Sequence, residues 1–199
     1  MSEKVLGFDV GTIGTRHFIL TNIKPLFDAV VEAGSIMNDF KGFYRSCDIL
    51  VGNYRYLIIL LTPGNVIIDV LKLIADSAEC VTLLGLCGSL NARYPVTSIV
   101  IPQFVTNSNE PTLKATLNSD CNSGLCICQV DGLIQTESFY LQLQAAGIDF
   151  VDMESFFLMT HLHNIPTKTI SIVSDMPLVS PFYENNPVVI DIETILQHL

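Results

Sequence analysis

Val81-Thr82-Leu83-Leu84-Gly85-Leu86-Cys87-Gly88-Ser89-Leu90 is the stretch that decides how this chain folds. Its first five residues, Val81–Gly85, form an apolar run of strand length with β-branched members, the pattern of a strand buried on both faces. The small residues that follow, Gly85, Cys87, Gly88 and Ser89, predict a turn whose backbone amides can approach a ligand closely. Working outward, similar short apolar runs predict strands near His17–Thr21, Tyr56–Leu61, Ser98–Pro102, Gly124–Val130 and Lys168–Val173. Helical periodicity fits Pro25–Ala33, Asn65–Ser77, Thr136–Ala146, Met153–His163 and Ile190–Leu199, several of them preceded by turn or capping residues. Strands alternating with helices predict an α/β layer fold around a buried sheet.

The 199 residues, 49% of them hydrophobic, suffice for one sizeable core, so a single domain over 1–199 is expected. The apolar runs are far shorter than the roughly 20 residues of a membrane helix, and Met1–Lys4 lacks a signal-peptide core, which predicts a soluble, cytoplasmic protein with no membrane partner. A net charge of −10, with ten Lys plus Arg thinly spread, leaves no basic stripe to neutralise a phosphate backbone and argues against nucleic-acid binding. The six cysteines, Cys47, Cys80, Cys87, Cys121, Cys126 and Cys128, show no CxxC pair or zinc spacing. They read as buried, reduced thiols, with no metal site; His161 and His163, two apart on one predicted helix, face different ways.

Pro63-Gly64-Asn65, after a predicted strand and before a predicted helix, is a corner of the kind where α/β proteins bind ligands, or a plain connecting turn. Thr106–Asn122, rich in Asn, Ser, Thr and Pro, reads as a mobile surface loop. Two acidic segments, Val151-Asp152-Met153-Glu154 and Val173-Ser174-Asp175, each set a carboxylate at the edge of an apolar element. Taken by themselves, Glu154 reads first as a helix N-terminal carboxylate stabilised by the helix dipole and Asp175 as a turn residue before Met176-Pro177.

The order of these pieces carries more than any one of them. From Phe18-Ile19-Leu20-Thr21-Asn22 through Gly64, the Leu84–Leu90 turn, Val100-Ile101-Pro102 and Val151–Glu154 to Ile172–Pro177, the chain resembles the purine nucleoside phosphorylase and nucleosidase superfamily. Within it the chain is most similar to AMP nucleosidase and the methylthioadenosine/S-adenosylhomocysteine nucleosidases. The resemblance implies a three-layer α/β/α fold with a central mixed sheet, no cofactor, and a dimeric or hexameric assembly. It implies a purine nucleoside or nucleotide as substrate, with Glu154 accepting hydrogen bonds from the ribose hydroxyls and Met153 packing on the sugar. Asp175 would donate a proton or hydrogen bond to the purine N7 as the glycosidic bond stretches. Asp152, Leu86, Cys87, Gly88, Ser174, Asn22 and Gly64 would complete the substrate pocket, and Leu133 with Ile134 would form the purine wall. An ionised carboxylate is acceptor-only, which suits a ribose diol, and the apolar neighbours Ile172, Val173 and Met176 should raise the Asp175 pKa by desolvation.

Departures from the family pattern refine the expected chemistry. Phosphorolytic members hold phosphate with arginines after the first strand and before the glycine turn, where this chain reads Thr21-Asn22-Ile23-Lys24-Pro25-Leu26 and Thr82-Leu83-Leu84-Gly85. A dianion would be desolvated there with little compensation, so water is the expected acceptor of the ribosyl group. AMP nucleosidase-like sequences carry a lysine where this chain has Leu86, which fits an apolar 5′ group better. The glutamate that activates water in methylthioadenosine-type enzymes has no unambiguous counterpart; Asp9, Asp28 and Glu32 lie nearby in sequence. Gly7–Arg16 also matches the DxGTxxxR phosphate loop of actin-like sugar kinases; a structural turn, or an element contacting the sugar or its 5′ substituent, is the other reading of that stretch.

Overall fold

A computed structural model of the chain describes residues 2–14, 16–62, 66–132, 134–182 and 188–199. The described elements are, in order, α1 (Ser2–Leu6), β1 (His17–Thr21), α2 (Lys24–Ala33), β2 (Ser35–Lys41), β3 (Arg45–Val51), β4 (Tyr54–Leu60), α3 (Ile67–Ile74), β5 (Cys80–Ser89), β6 (Ile99–Val100), β7 (Phe104–Asn107), β8 (Ala115–Thr116), β9 (Cys126–Gln129), α4 (Glu137–Ala145), β10 (Phe150–Asp152), α5 (Ser155–His161), β11 (Thr167–Asp175) and α6 (Ile192–Gln197). The strands form a mixed sheet with helices flanking it, the expected α/β class. None of the described helices is long and apolar enough to cross a membrane.

The chain groups into two compact units, each built from separate stretches of sequence. The first comprises Met1–Gly85, His161–Thr167 and Asp191–Leu199. Within it the strand order is β2-β3-β4-β1 followed by the N-terminal half of β5. β1 runs parallel to both neighbours, pairing Phe18 with Leu57 on one side and Val81 on the other. Such a central parallel strand is buried on both faces, which explains the unbroken apolar run that made β1 legible. α2 buries Leu26, Phe27, Val30 and Val31, and α3 buries Ile67, Val70, Leu71 and Ile74, each set spaced to form one helical stripe.

The second unit comprises Leu86–Thr160 and Lys168–Ile190. Its strands run from the C-terminal half of β5 through β10, β9 and β7 to β8, with β11 on β5 and β6 on β11. A core of Leu90, Cys126, Cys128, Val130, Tyr140, Leu143, Ile148 and Val151 joins α4 to β9 and β10. Full burial of a side chain the size of Leu143 contributes about 1.5–3 kcal/mol.

Three expectations are corrected. The glycine-rich turn after Gly85 is instead the second half of a ten-residue strand, because β5 continues to Ser89 and pairs Gly88 with Val151 of β10. Small residues are needed there for close packing: a Cβ on Gly88 would lie 2.9 Å from Pro177 Cγ and 3.1 Å from Val151 Cγ2. The Thr106–Asn122 stretch is not a plain loop, since it holds the end of β7, all of β8, and a buried Thr106 whose hydroxyl donates to the Glu110 carbonyl at 2.9 Å. Asp175, finally, is the last residue of β11 and not a turn residue. The Pro63–Asn65 corner lies outside the described residues.

Candidate functional site

The two acidic segments occupy equivalent places in the second unit: Asp152 ends β10 and Asp175 ends β11. β5 pairs with both strands and sets Gly88 opposite Val151 of β10, so the expected Leu86–Gly88 segment runs beside the strands that end in the two carboxylates. Ser174 Oγ lies 3.2 Å from the Cys87 carbonyl oxygen and 2.8 Å from Asp175 Oδ1, tying the end of β11 to β5. Gly88 lies against Pro177, two residues beyond Asp175. Cys87 is buried, and burial pushes its thiol well above its ordinary value, with the negative charges of Asp152 and Asp175 adding to the effect. The Ser174 bond to the Cys87 carbonyl and the pairing of Gly88 with Val151 place this part of β5 beside the ends of both β11 and β10.

Asp175 is 7% exposed. Burial raises its pKa above the ordinary carboxylate range, opposed by the hydrogen bonds from Ser174 and the Phe182 backbone. Desolvation favours the neutral acid while hydrogen bonds to the carboxylate favour the ion, so the observed direction says that desolvation prevails. A carboxyl whose protonated form is favoured by burial is suited to serve as a general acid.

Asp152 is 4% exposed. Its Oδ1 accepts from Ser155 Oγ at 2.7 Å and its Oδ2 from the Ser155 amide at 3.0 Å. Burial, reinforced by the charge of Glu154, raises its pKa to about 8 against the pull of the Ser155 and Glu154 hydrogen bonds. The same bonds fix where α5 begins: the helix starts at Ser155, so Met153 and Glu154 form a half-buried turn between β10 and α5. Gln129, the β9 residue paired with Asp152, adds a second cap by accepting from the Phe157 amide at 3.2 Å.

The structure therefore brings Leu86, Cys87, Gly88, Asp152, Met153, Glu154, Ser174 and Asp175 into the second unit, around the ends of β10 and β11. Ile134 belongs to the same unit and is 77% exposed. Asn22 follows β1 in the first unit. Leu133 and Gly64 lie outside the described residues. Ser155 and Gln129 were missed by sequence reasoning; the Asp-x-x-Ser spacing at a helix start was the available signal for the first. Of the carboxylates considered for water activation, Asp28 is held by Lys24 and Arg45, and Asp9 closes its own turn by accepting from the Gly11 amide at 3.1 Å.

No protein-family model matches the chain, and no curated protein matches it by sequence. Solved structures do. A futalosine hydrolase mutant of Helicobacter pylori strain 26695 superposes with a TM-score of 0.71 at 12% identity, covering 92% of this chain and 96% of its own. The 5′-methylthioadenosine/S-adenosylhomocysteine nucleosidase of Neisseria meningitidis, in complex with methylthio-immucillin-A, gives a TM-score of 0.68 at 15% identity, covering 84% and 90%. The nucleosidase of Helicobacter pylori, as an aspartate-to-asparagine mutant with 5′-methylthioadenosine in its active site, gives 0.64 at 12% identity, covering 82% and 86%. By these likenesses the chain has the fold of the purine nucleoside phosphorylase and nucleosidase superfamily.

Proposed function

We propose that this chain hydrolyses the N-glycosidic bond of a purine nucleoside or nucleotide, releasing the free base. The observation that carries the reading is Asp175: a buried carboxyl with a raised pKa, ending β11 beside Cys87, on a fold shared with nucleosidases. In the proposed reaction the C1′–N9 bond breaks with its electron pair passing to the base, which takes the Asp175 proton at N7. Water adds to C1′, and its released proton restores Asp175. Glu154 accepts hydrogen bonds from the ribose hydroxyls and holds negative charge near the oxocarbenium-like sugar, while Met153 packs on the sugar face. Leu86, half-buried, favours a methylthioadenosine-like substrate with an apolar 5′ group over an AMP-like one.

The test is a panel of 5′-methylthioadenosine, S-adenosylhomocysteine, futalosine, adenosine, inosine and AMP, incubated with the protein with and without phosphate and read by mass spectrometry. Free base released without phosphate is the expected result. Release that requires phosphate and yields ribose 1-phosphate would make the protein a phosphorylase instead. No release from any substrate by the folded chain would overturn the assignment.

A further inference from the structure

We propose that Asp152 is a positioning residue: gripped by Ser155 at the end of β10, its buried carboxyl fixes the Met153–Glu154 turn and so aims Glu154 at the ribose without itself touching substrate. The proposal rests on the nucleosidase reading above. Both Asp152 oxygens are engaged by one residue, Oδ1 by the Ser155 hydroxyl at 2.7 Å and Oδ2 by the Ser155 amide at 3.0 Å. The two bonds close a loop of four residues from Asp152 to Ser155, with Glu154 inside it. Holding a ribose acceptor in a loop closed by a buried carboxyl limits its rotation, which is how a supporting residue keeps a binding group in its productive geometry.

The charge state of Asp152 then bears on Glu154. Around Asp152 stand Glu154 from its own turn, Ser155 from α5, the Cys87 thiol on β5, the Cys128 thiol on β9 and, across Cys87, Asp175 on β11. None of these is a cation. With its pKa raised to about 8, Asp152 holds its proton at neutral pH. Above about pH 8 Asp152 ionises in a buried site, where two neighbouring carboxylates repel strongly. Glu154 is pushed out of position and sugar binding weakens.

The experiment follows kcat and KM against pH for wild type, Asp152→Asn and Ser155→Ala on whichever nucleoside the wild type hydrolyses. Wild type should show KM rising about tenfold per pH unit above pH 8, as expected when one proton controls binding. Asp152→Asn keeps the side-chain shape and an acceptor for Ser155 but cannot ionise, so its KM should stay flat over that range. Ser155→Ala removes a hydrogen bond that favours the ionised form and should move the rise to higher pH. Identical KM profiles for wild type and Asp152→Asn would overturn the proposal, as would a loss confined to kcat or to thermal stability. If wild type releases no base at any pH, the nucleosidase reading itself falls, and the two failures are told apart before any variant is compared.

Discussion

Two regions of this molecule bury carboxylates, and they do so differently. In the first unit Asp48, wholly buried on β3, is forked by the Arg55 guanidinium from β4 and further bonded by Asn38 Nδ2 at 3.1 Å. Its charge is matched by a fixed cation, the arrangement of a structural ion pair. In the second unit Asp152 and Asp175 are nearly as deeply buried, yet the partners that hold them are hydroxyls and backbone amides, with no cation among the described residues. Neutral donors leave the desolvation cost of the charged form largely in place, so both groups keep their protons to higher pH than a free carboxylate. The depth of burial is similar; the presence of a cation separates a residue that holds the sheet together from one that can trade a proton.

The largest expected effect tests the proton-trading side. Asp175→Asn leaves the shape unchanged and removes the acid, so turnover should fall by about 10²–10⁴-fold while the circular dichroism spectrum is kept. A loss of less than about tenfold would mean that the leaving base is not protonated from this position. The next tests the ion-paired side. Arg55→Met leaves Asp48 buried without its cation and should cost about 2–3 kcal/mol, read as a lower urea midpoint. That figure is below the value for a fully enclosed pair because the Arg55 side chain is 42% exposed and water can reach part of the gap. Should the midpoint stay put, the contrast between the two regions fails. Gly88→Ala comes third: its methyl would meet Pro177 and Val151, costing about 1–3 kcal/mol by overpacking and shifting the segment after Asp175, so both stability and turnover should drop.

What the sequence revealed follows the same physics. β1 was read at its observed bounds because a parallel strand buried on both faces is apolar throughout. α4 and α6 were read to within a few residues because Thr136 and Asp191 mark their starts, each side chain accepting from an amide of the first turn. The β2–β3 hairpin was missed. β2 is almost wholly exposed and bulged between Ile36 and Asn38, and β3 buries Ser46 and Asp48, so neither shows the apolar run of a strand. The turn read into Gly85–Ser89 failed because glycines in a strand look like turn residues; Gly88 is set there by the approach of Pro177 and Val151. The candidate site was read from the sequence as two acidic segments. The hydrogen bonds from Ser155 and Ser174 that distinguish them depend on three-dimensional neighbours that spacing alone does not supply.

The smallest expected effect is the most discriminating. Ser174 Oγ sits between the Cys87 carbonyl and Asp175 Oδ1, at 3.2 and 2.8 Å, and its bond to Asp175 favours the ionised carboxylate. Ser174→Ala removes both contacts, costing about 1 kcal/mol of stability near neutral pH. It also takes away an interaction that holds the Asp175 pKa down, so that pKa rises further. A group whose folded pKa lies above its unfolded value weakens the fold as pH rises from the unfolded value through the folded one. The stability gap between wild type and Ser174→Ala should therefore be least in acid, widen as pH rises through the pKa of Asp175, and level off beyond it. Catalysis should respond in the opposite sense: if Asp175 is the general acid, the alkaline fall in turnover moves to higher pH in the variant. A change in stability with no movement of that limb would leave Asp175 a buried structural carboxyl, as Asp48 is, and would remove the distinction between the two regions.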